Sequence, residues 1–248
     1  MVESEDQAVS KRNCTKVMLY RIILVLVFTA STGSMYAGDG WQEKVQAVLQ
    51  SSHISQTAAE EIMSVFSSAE YEHVSYEVLL PRLEEGIAKR VSPNLIITVL
   101  ERELSAYIRA RIIITEVLDE ETAHHVLSGI TPWSRTVTLL LQGADKEELK
   151  RLLQAFSKQD MDDRWNNYRY GSSLYAALLQ WGMDKEQSLD IVSAVAQSYI
   201  PANDYKGILD TLISGTRLRV SPDTMAERMI QTLPGLRSLE ELHDRVLY

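Results

Sequence analysis

The sequence predicts an all-α fold of stacked helical hairpins, a short α-solenoid-like array or a helical bundle, and three observations carry that prediction. From Trp41 onward apolar residues recur at spacings of three and four, as one face of a helix requires. Capping residues, glycines and prolines punctuate that pattern. Two stretches, 55–104 and 184–233, repeat each other in both respects. Composition agrees. The chain is 45% apolar with only 6 Pro and 11 Gly, few for a sheet full of tight turns. The hairpin dipeptide Asp-Gly occurs once, at Asp39-Gly40, in a linker.

Residues 1–37 read as a secretory signal. Lys11, Arg12, Lys16 and Arg21 precede the apolar run Ile22 to Ala30. Ser31, Thr32, Gly33 and Ser34 follow, and cleavage is expected after Ala37. The run is short for a transmembrane anchor, and Arg21 interrupts its extended form. Met18 is an alternative start that would give a more compact signal. The one cysteine, Cys14, lies upstream of the apolar run, so the segment is not a lipoprotein signal. The expected mature body, 38–248, therefore has no cysteine, which excludes disulfides, thiol nucleophiles and Cys-ligated zinc. Such a body suits a bacterial periplasm.

Within the body, Leu79, Leu80, Leu83 and Ile87 form one helical stripe, as do Leu149, Leu152, Leu153 and Phe156, and Ile191, Val192 and Val195. Asp145-Lys-Glu-Glu148 and Asp184-Lys-Glu-Gln187 have the form of capping boxes. Ser92-Pro93, Thr131-Pro132 and Ser221-Pro222 place a hydroxyl cap before a proline at the first helical position. Gly86, Gly143, Gly182 and Gly215 are expected to close helices in the left-handed conformation.

Laid on 184–233 without a gap, 55–104 matches at eleven positions, among them Ile62/Ile191, Leu83/Leu212, Gly86/Gly215 and the block Arg90-Val91-Ser92-Pro93 on Arg219-Val220-Ser221-Pro222. The matches fall on caps, stops and apolar positions, where a shared helical unit imposes them. A looser unit, 131–182, is expected between them. The phrase Leu83-Glu-Glu-Gly86-Ile-Ala-Lys-Arg90-Val91-Ser92-Pro93 resembles a hairpin of uncharacterised exported bacterial proteins, in which Gly-Leu-Ala-Lys-Gly-Val-Pro-Pro joins two helices. Arg90 and Ser92 replace the second glycine and the first of the paired prolines. The resemblance implies an all-helical exported protein and no activity.

No catalytic or metal constellation emerges. Glu121 and His125 lie four apart beside Glu120 and His124, but adjacent histidines diverge on a helix and His-Glu-x-x-His is absent, so a solvated face is expected. Asp160, Asp162 and Asp163 do not continue into a calcium loop, because Arg164 and Trp165 stand where a ligand and glycine are needed. Gly-x-Ser-x-Gly is absent, and the body has no Ser-x-x-Lys. No cofactor is expected. The candidate binding residues are Trp165, Tyr168, Tyr175 and Trp181, in a segment that concentrates aromatic rings. Trp165, Tyr168 and Tyr175 share one helical stripe, which at this spacing more often serves a core than a binding groove.

The net charge is −9, and −10 once 1–37 is removed with its three acids and four bases. A body this acidic repels phosphate backbones, which argues against nucleic acid. The expectation is an exported, non-catalytic binding or scaffold module of the cell envelope, whose partner is a protein or envelope component. The alternative is a cell-wall-acting enzyme with an unrecognised catalytic carboxylate.

Overall fold

The structure, a computed structural model, describes residues 40–128, 130–159 and 161–247, the side chains of 130–132 and 161–163 excepted. The expected signal 1–37 with Cys14, Gly38 at the cleavage point, and Asp160 lie outside the described residues, as do the side chains of Asp162 and Asp163. Among the described residues there are twelve α-helices, one 3-10 turn and no strand. The helices are α1 (Trp41–Gln50), α2 (Gln56–Tyr71), α3 (Tyr76–Ala88), α4 (Pro93–Val117), α5 (Glu120–Ser128) and α6 (Ile130–Leu141). They continue with α7 (Lys146–Ser157), α8 (Met161–Trp181), α9 (Lys185–Val195), α10 (Lys206–Arg217), α11 (Pro222–Thr232) and α12 (Leu239–Leu247). The 3-10 turn, Ala202–Asp204, precedes α10. No described helix is long and apolar enough to cross a membrane.

The helices pack in two rows. In the first, α2 lies on α4, α4 on α7, α7 on α9 and α9 on α11. In the second, α6 lies on α8, α8 on α10 and α10 on α12. The chain alternates between rows, with α3 against α4 at the head and α5 inserted between α4 and α6. One hairpin cannot bury its own apolar stripe, so neighbours stack and the core runs continuously between the rows. These contacts between neighbouring helices fit the all-helical array or bundle that the sequence predicts.

One loop geometry recurs five times, between α2 and α3, α3 and α4, α6 and α7, α8 and α9, and α10 and α11. Each helix ends on a left-handed residue: His73 (φ 53), Arg90 (φ 54), Gly143 (φ 97), Gly182 (φ 96) and Arg219 (φ 64). The next residue donates its N–H five positions back: Val74 to Ala69, Val91 to Gly86, Ala144 to Leu139, Met183 to Leu178 and Val220 to Gly215, at 2.8–3.1 Å. The left-handed residue itself donates three positions back, completing a Schellman motif. One residue later comes the N-cap of the following helix: Ser75, Ser92, Asp145, Asp184 or Ser221.

These loops correct three local expectations. Gly86 and Gly215 are helical, and the left-handed residues are Arg90 and Arg219, four positions on. The glycines serve close approach instead. A Cβ on Gly86 would stand 2.8 Å from Ile96 Cγ1, and one on Gly215 2.3 Å from the Met225 sulfur, at the matching position of the next helix. Thr131 does not cap α6, which begins one residue earlier at Ile130. Pro132 is then the third helical residue, whose N–H would be unpaired anyway. Asp145 and Glu148 form the full capping box, whereas Gln187 turns from Asp184 to donate to Asp223 at 3.0 Å.

Ser221 accepts from the Thr224 N–H at 3.1 Å, while Ser92 holds the cap position without a side-chain bond. Ser221→Ala is therefore expected to cost about 1 kcal/mol in urea unfolding and Ser92→Ala about 0.5 kcal/mol or less. A bulky L-residue in the left-handed region is strained by about 1 kcal/mol. Arg90 and Arg219 are exposed and, among the described residues, form no ion pair. Arg90→Gly and Arg219→Gly are each expected to raise stability by about 0.5–1 kcal/mol, the gain trimmed by glycine's freedom in the unfolded chain. A loss in both would mean that the side chains hold the turns.

Candidate functional site

The aromatic segment is used by the core. Helix α8 is enclosed by α6, α7, α9 and α10, so it has little free face. Tyr168 and Tyr175 are both 0% exposed. The Tyr168 hydroxyl is 2.8 Å from Thr136 Oγ1, and its ring stands edge-on to Phe156 and to Trp165. The Tyr175 hydroxyl is buried without an aligned hydrogen bond. Burial first, and the nearby Glu148 carboxylate second, push its pKa up. Trp165 and Trp181 are half-buried and pack against the core. Tyr168 and Tyr175 face packed neighbours, Trp165 and Trp181 keep part of their surface exposed, and none of the four lines a groove between α1 and α2 or between α2 and α4.

The histidine cluster behaves as expected for a solvated face: Glu120, Glu121, His124 and His125 are exposed on α5. Among the described residues no group of three potential metal ligands comes together.

Two charged groups are buried in ways the sequence did not announce. Glu103 of α4 is 7% exposed. Arg82 Nε of α3 lies 3.3 Å from it, and Arg82 Nη1 lies 3.1 Å from Glu85. Burial raises the Glu103 pKa against the lowering pull of Arg82. Arg135 of α6 is half-buried and donates to Ser173 Oγ at 2.6 Å, while its buried Nε lacks a partner. Loss of water lowers its pKa, and Arg169 nearby adds to that. Neither group lines a groove.

The open features lie at the head of the first row. Its later seams are closed by polar bridges. Glu116 of α4 meets Lys146 and Lys150 of α7 at 2.7 and 2.8 Å. Arg151 of α7 meets Glu186 and Asp190 of α9 at 2.5 and 2.8 Å, and Lys185 pairs with Glu148 across the same seam. Between α2 and α4, among the described residues, only Arg111 reaches across, to Glu72 just past the end of α2. The body of that seam is a shallow groove of about 470 Å³, floored by Val65, Ile97, Leu104 and Ile108 and flanked by Ser64, Ser68 and Ser105. Glu61 and Glu101 stand toward one end and Arg109 toward the other. A second groove, about 650 Å³, runs between α1 and α2.

The arrangement offers apolar contact, hydroxyls and unpaired charges along one seam. Sequence reasoning missed this groove, because small serines on two separate helices give no local signal. No family model, curated protein or solved structure matches the chain.

Proposed function

We propose that this is an exported binding or scaffold module of the bacterial cell envelope, held in the periplasm after removal of residues 1–37, and that it engages its partner through the first row of helices. The observation that carries the reading is the shallow groove along the body of the α2–α4 seam, which the Arg111–Glu72 pair ties at its C-terminal end. Stacked helical pairs present extended surfaces of this kind. The basic-then-apolar N-terminus and the resemblance of 83–93 to exported bacterial hairpins support the location.

The same reading takes 55–104 and 184–233 as copies of one unit. Supporting it, the first and third helices of both lie in the first row, and Ile62/Ile191 and Leu83/Leu212 are all 0% exposed. The unit 131–182 runs second, first, second, one helix out of phase. A cell-wall enzyme would draw on Glu103, the one described carboxylate whose pKa is raised. Its carboxylate faces Arg82 in the core rather than either groove, which favours the binding reading.

The test is site-specific photo-cross-linking in cells. A cross-linker goes on Ser105→Cys, at the groove, or on Glu227→Cys, exposed on α11 of the same row, in a Cys14→Ser background. A discrete adduct from position 105 alone is expected. Equal adducts from both positions, or none, would remove the groove as the binding surface.

A further inference from the structure

We propose that the α2–α4 seam receives an amphipathic helix of a partner protein, with basic residues on the flank and first turn of that helix. The inference rests on the groove being the binding surface, and it names the occupant.

Shape comes first. On α4, Ile97, Leu104, Ile108 and Ile112 are spaced seven, four and four, so they lie on one stripe. The first three floor the groove, Ile97 and Leu104 largely covered (8% and 7% exposed) and Ile108 half-buried, and Ile112 continues the line one turn further, 45% exposed. At 1.5 Å per residue that line is roughly 22 Å long. A straight apolar line of this length matches the i, i+4, i+7 anchors of a helix laid along it. An extended peptide would gain less, because α2 and α4 spend their backbone hydrogen bonds internally and offer no strand edge to pair with. Ser64, Ser68 and Ser105, all exposed, leave room for another backbone to come close.

Charge selects the occupant and its direction. Arg111 bonds Glu72 at the C-terminal end of α2, so α2 and α4 run parallel with their N-terminal ends together. Glu61 marks the N-terminal end of the groove on α2 and Glu101 stands one turn in from Ile97 on α4, and among the described residues neither forms an ion pair or side-chain hydrogen bond. Arg109, toward the other end, is likewise unpaired. A helix lying parallel to α2 and α4 would put its positive end over the two glutamates and its negative end toward Arg109. Basic side chains in its first turn would complete the match. The acidic body, at −10 without residues 1–37, repels an acidic competitor over longer range.

The test uses three synthetic peptides of about 18 residues with the same apolar stripe and a basic, neutral or acidic polar face. Their binding to the full chain is followed by fluorescence anisotropy. The basic peptide should bind at least about tenfold more tightly than the acidic one, with the neutral peptide between. Glu61→Lys with Glu101→Lys should reduce that preference by about tenfold or more, and Ser105→Trp, which fills the groove, should abolish binding. Glu227→Lys, equal in charge change per site but remote, should leave the preference intact. Equal binding of all three peptides, or tighter binding of the acidic one, overturns the basic helix but leaves the groove standing. Binding indifferent to Ser105→Trp overturns the groove itself. If no peptide binds while Ser105→Cys still yields its cross-link, the helical occupant is wrong and the surface is right.

Discussion

Gly171→Val is expected to destabilise the protein by about 3 kcal/mol, more than any surface change considered above. Gly171 lies on α8 where the Phe156 ring of α7 meets the helix backbone. Even a Cβ there would stand 2.2 Å from Phe156 Cζ and 2.6 Å from Cε2. The ring has no room to retreat, since Phe156 is 0% exposed and packs edge-on to Tyr168, itself tied to Thr136. Gly171→Ala should lose less, because alanine recovers about 1 kcal/mol of helix propensity. For a body of this size the valine variant should melt roughly 6–12 °C lower. Combining it with Phe156→Leu should recover part of the loss, the coupling expected of two groups in contact. An unchanged midpoint for Gly171→Val would show that α7 and α8 can shift apart freely.

Arg82→Ala is expected to cost about 2–3 kcal/mol at neutral pH, because it leaves the Glu103 carboxylate buried and unpaired. The figure sits at the low end because the Arg82 side chain is 39% exposed and water replaces part of its role. Burial already raises the Glu103 pKa above that of the unfolded chain, so its favourable contribution is present below the unfolded value and is lost as pH rises through the folded one. Without Arg82 the folded pKa climbs further. The defect of the variant should therefore shrink as pH falls through that raised value and the carboxyl becomes neutral. Glu103→Leu in the Arg82→Ala background should restore stability at neutral pH, since no buried charge remains. Urea unfolding at several pH values reads this, and a pH-independent defect would mean that lost packing, not the unpaired charge, dominates.

The helices and most of their caps were legible because both are written in local spacing. Asp145, Asp184 and Ser221 cap where their positions before apolar stripes indicated. The conformations of His73, Arg90 and Arg219 were not legible, since residue type signals the left-handed region only when it is glycine or asparagine. The Trp165/Tyr168/Tyr175 stripe was visible, but periodicity reads the same for a groove and for a core. Only the four helices around α8 decide between them. Glu103 sits in the run Glu101-Arg102-Glu103 between Leu100 and Leu104, where nothing local says which carboxylate turns inward, and its partner Arg82 is on another helix. The α2–α4 groove depends on which helices become neighbours, and no window of sequence contains both of its walls.

The two-row packing also governs how the molecule opens. α1 rests on α2 and α3, and α12 on α10 and α11, so each end is held by its nearest neighbours. In such a chain the free energy of opening adds up link by link, and the ends come apart long before the middle. Amide hydrogen exchange should be slowest in α7 to α9 and fastest in α1 and α12. The α2–α4 seam lies close to the N-terminal end, so whatever occupies it would slow exchange across α1 and α2 by tying down the loosest part of the array. Recognition there would be felt as a gain in local order even where no atom moves to a new position.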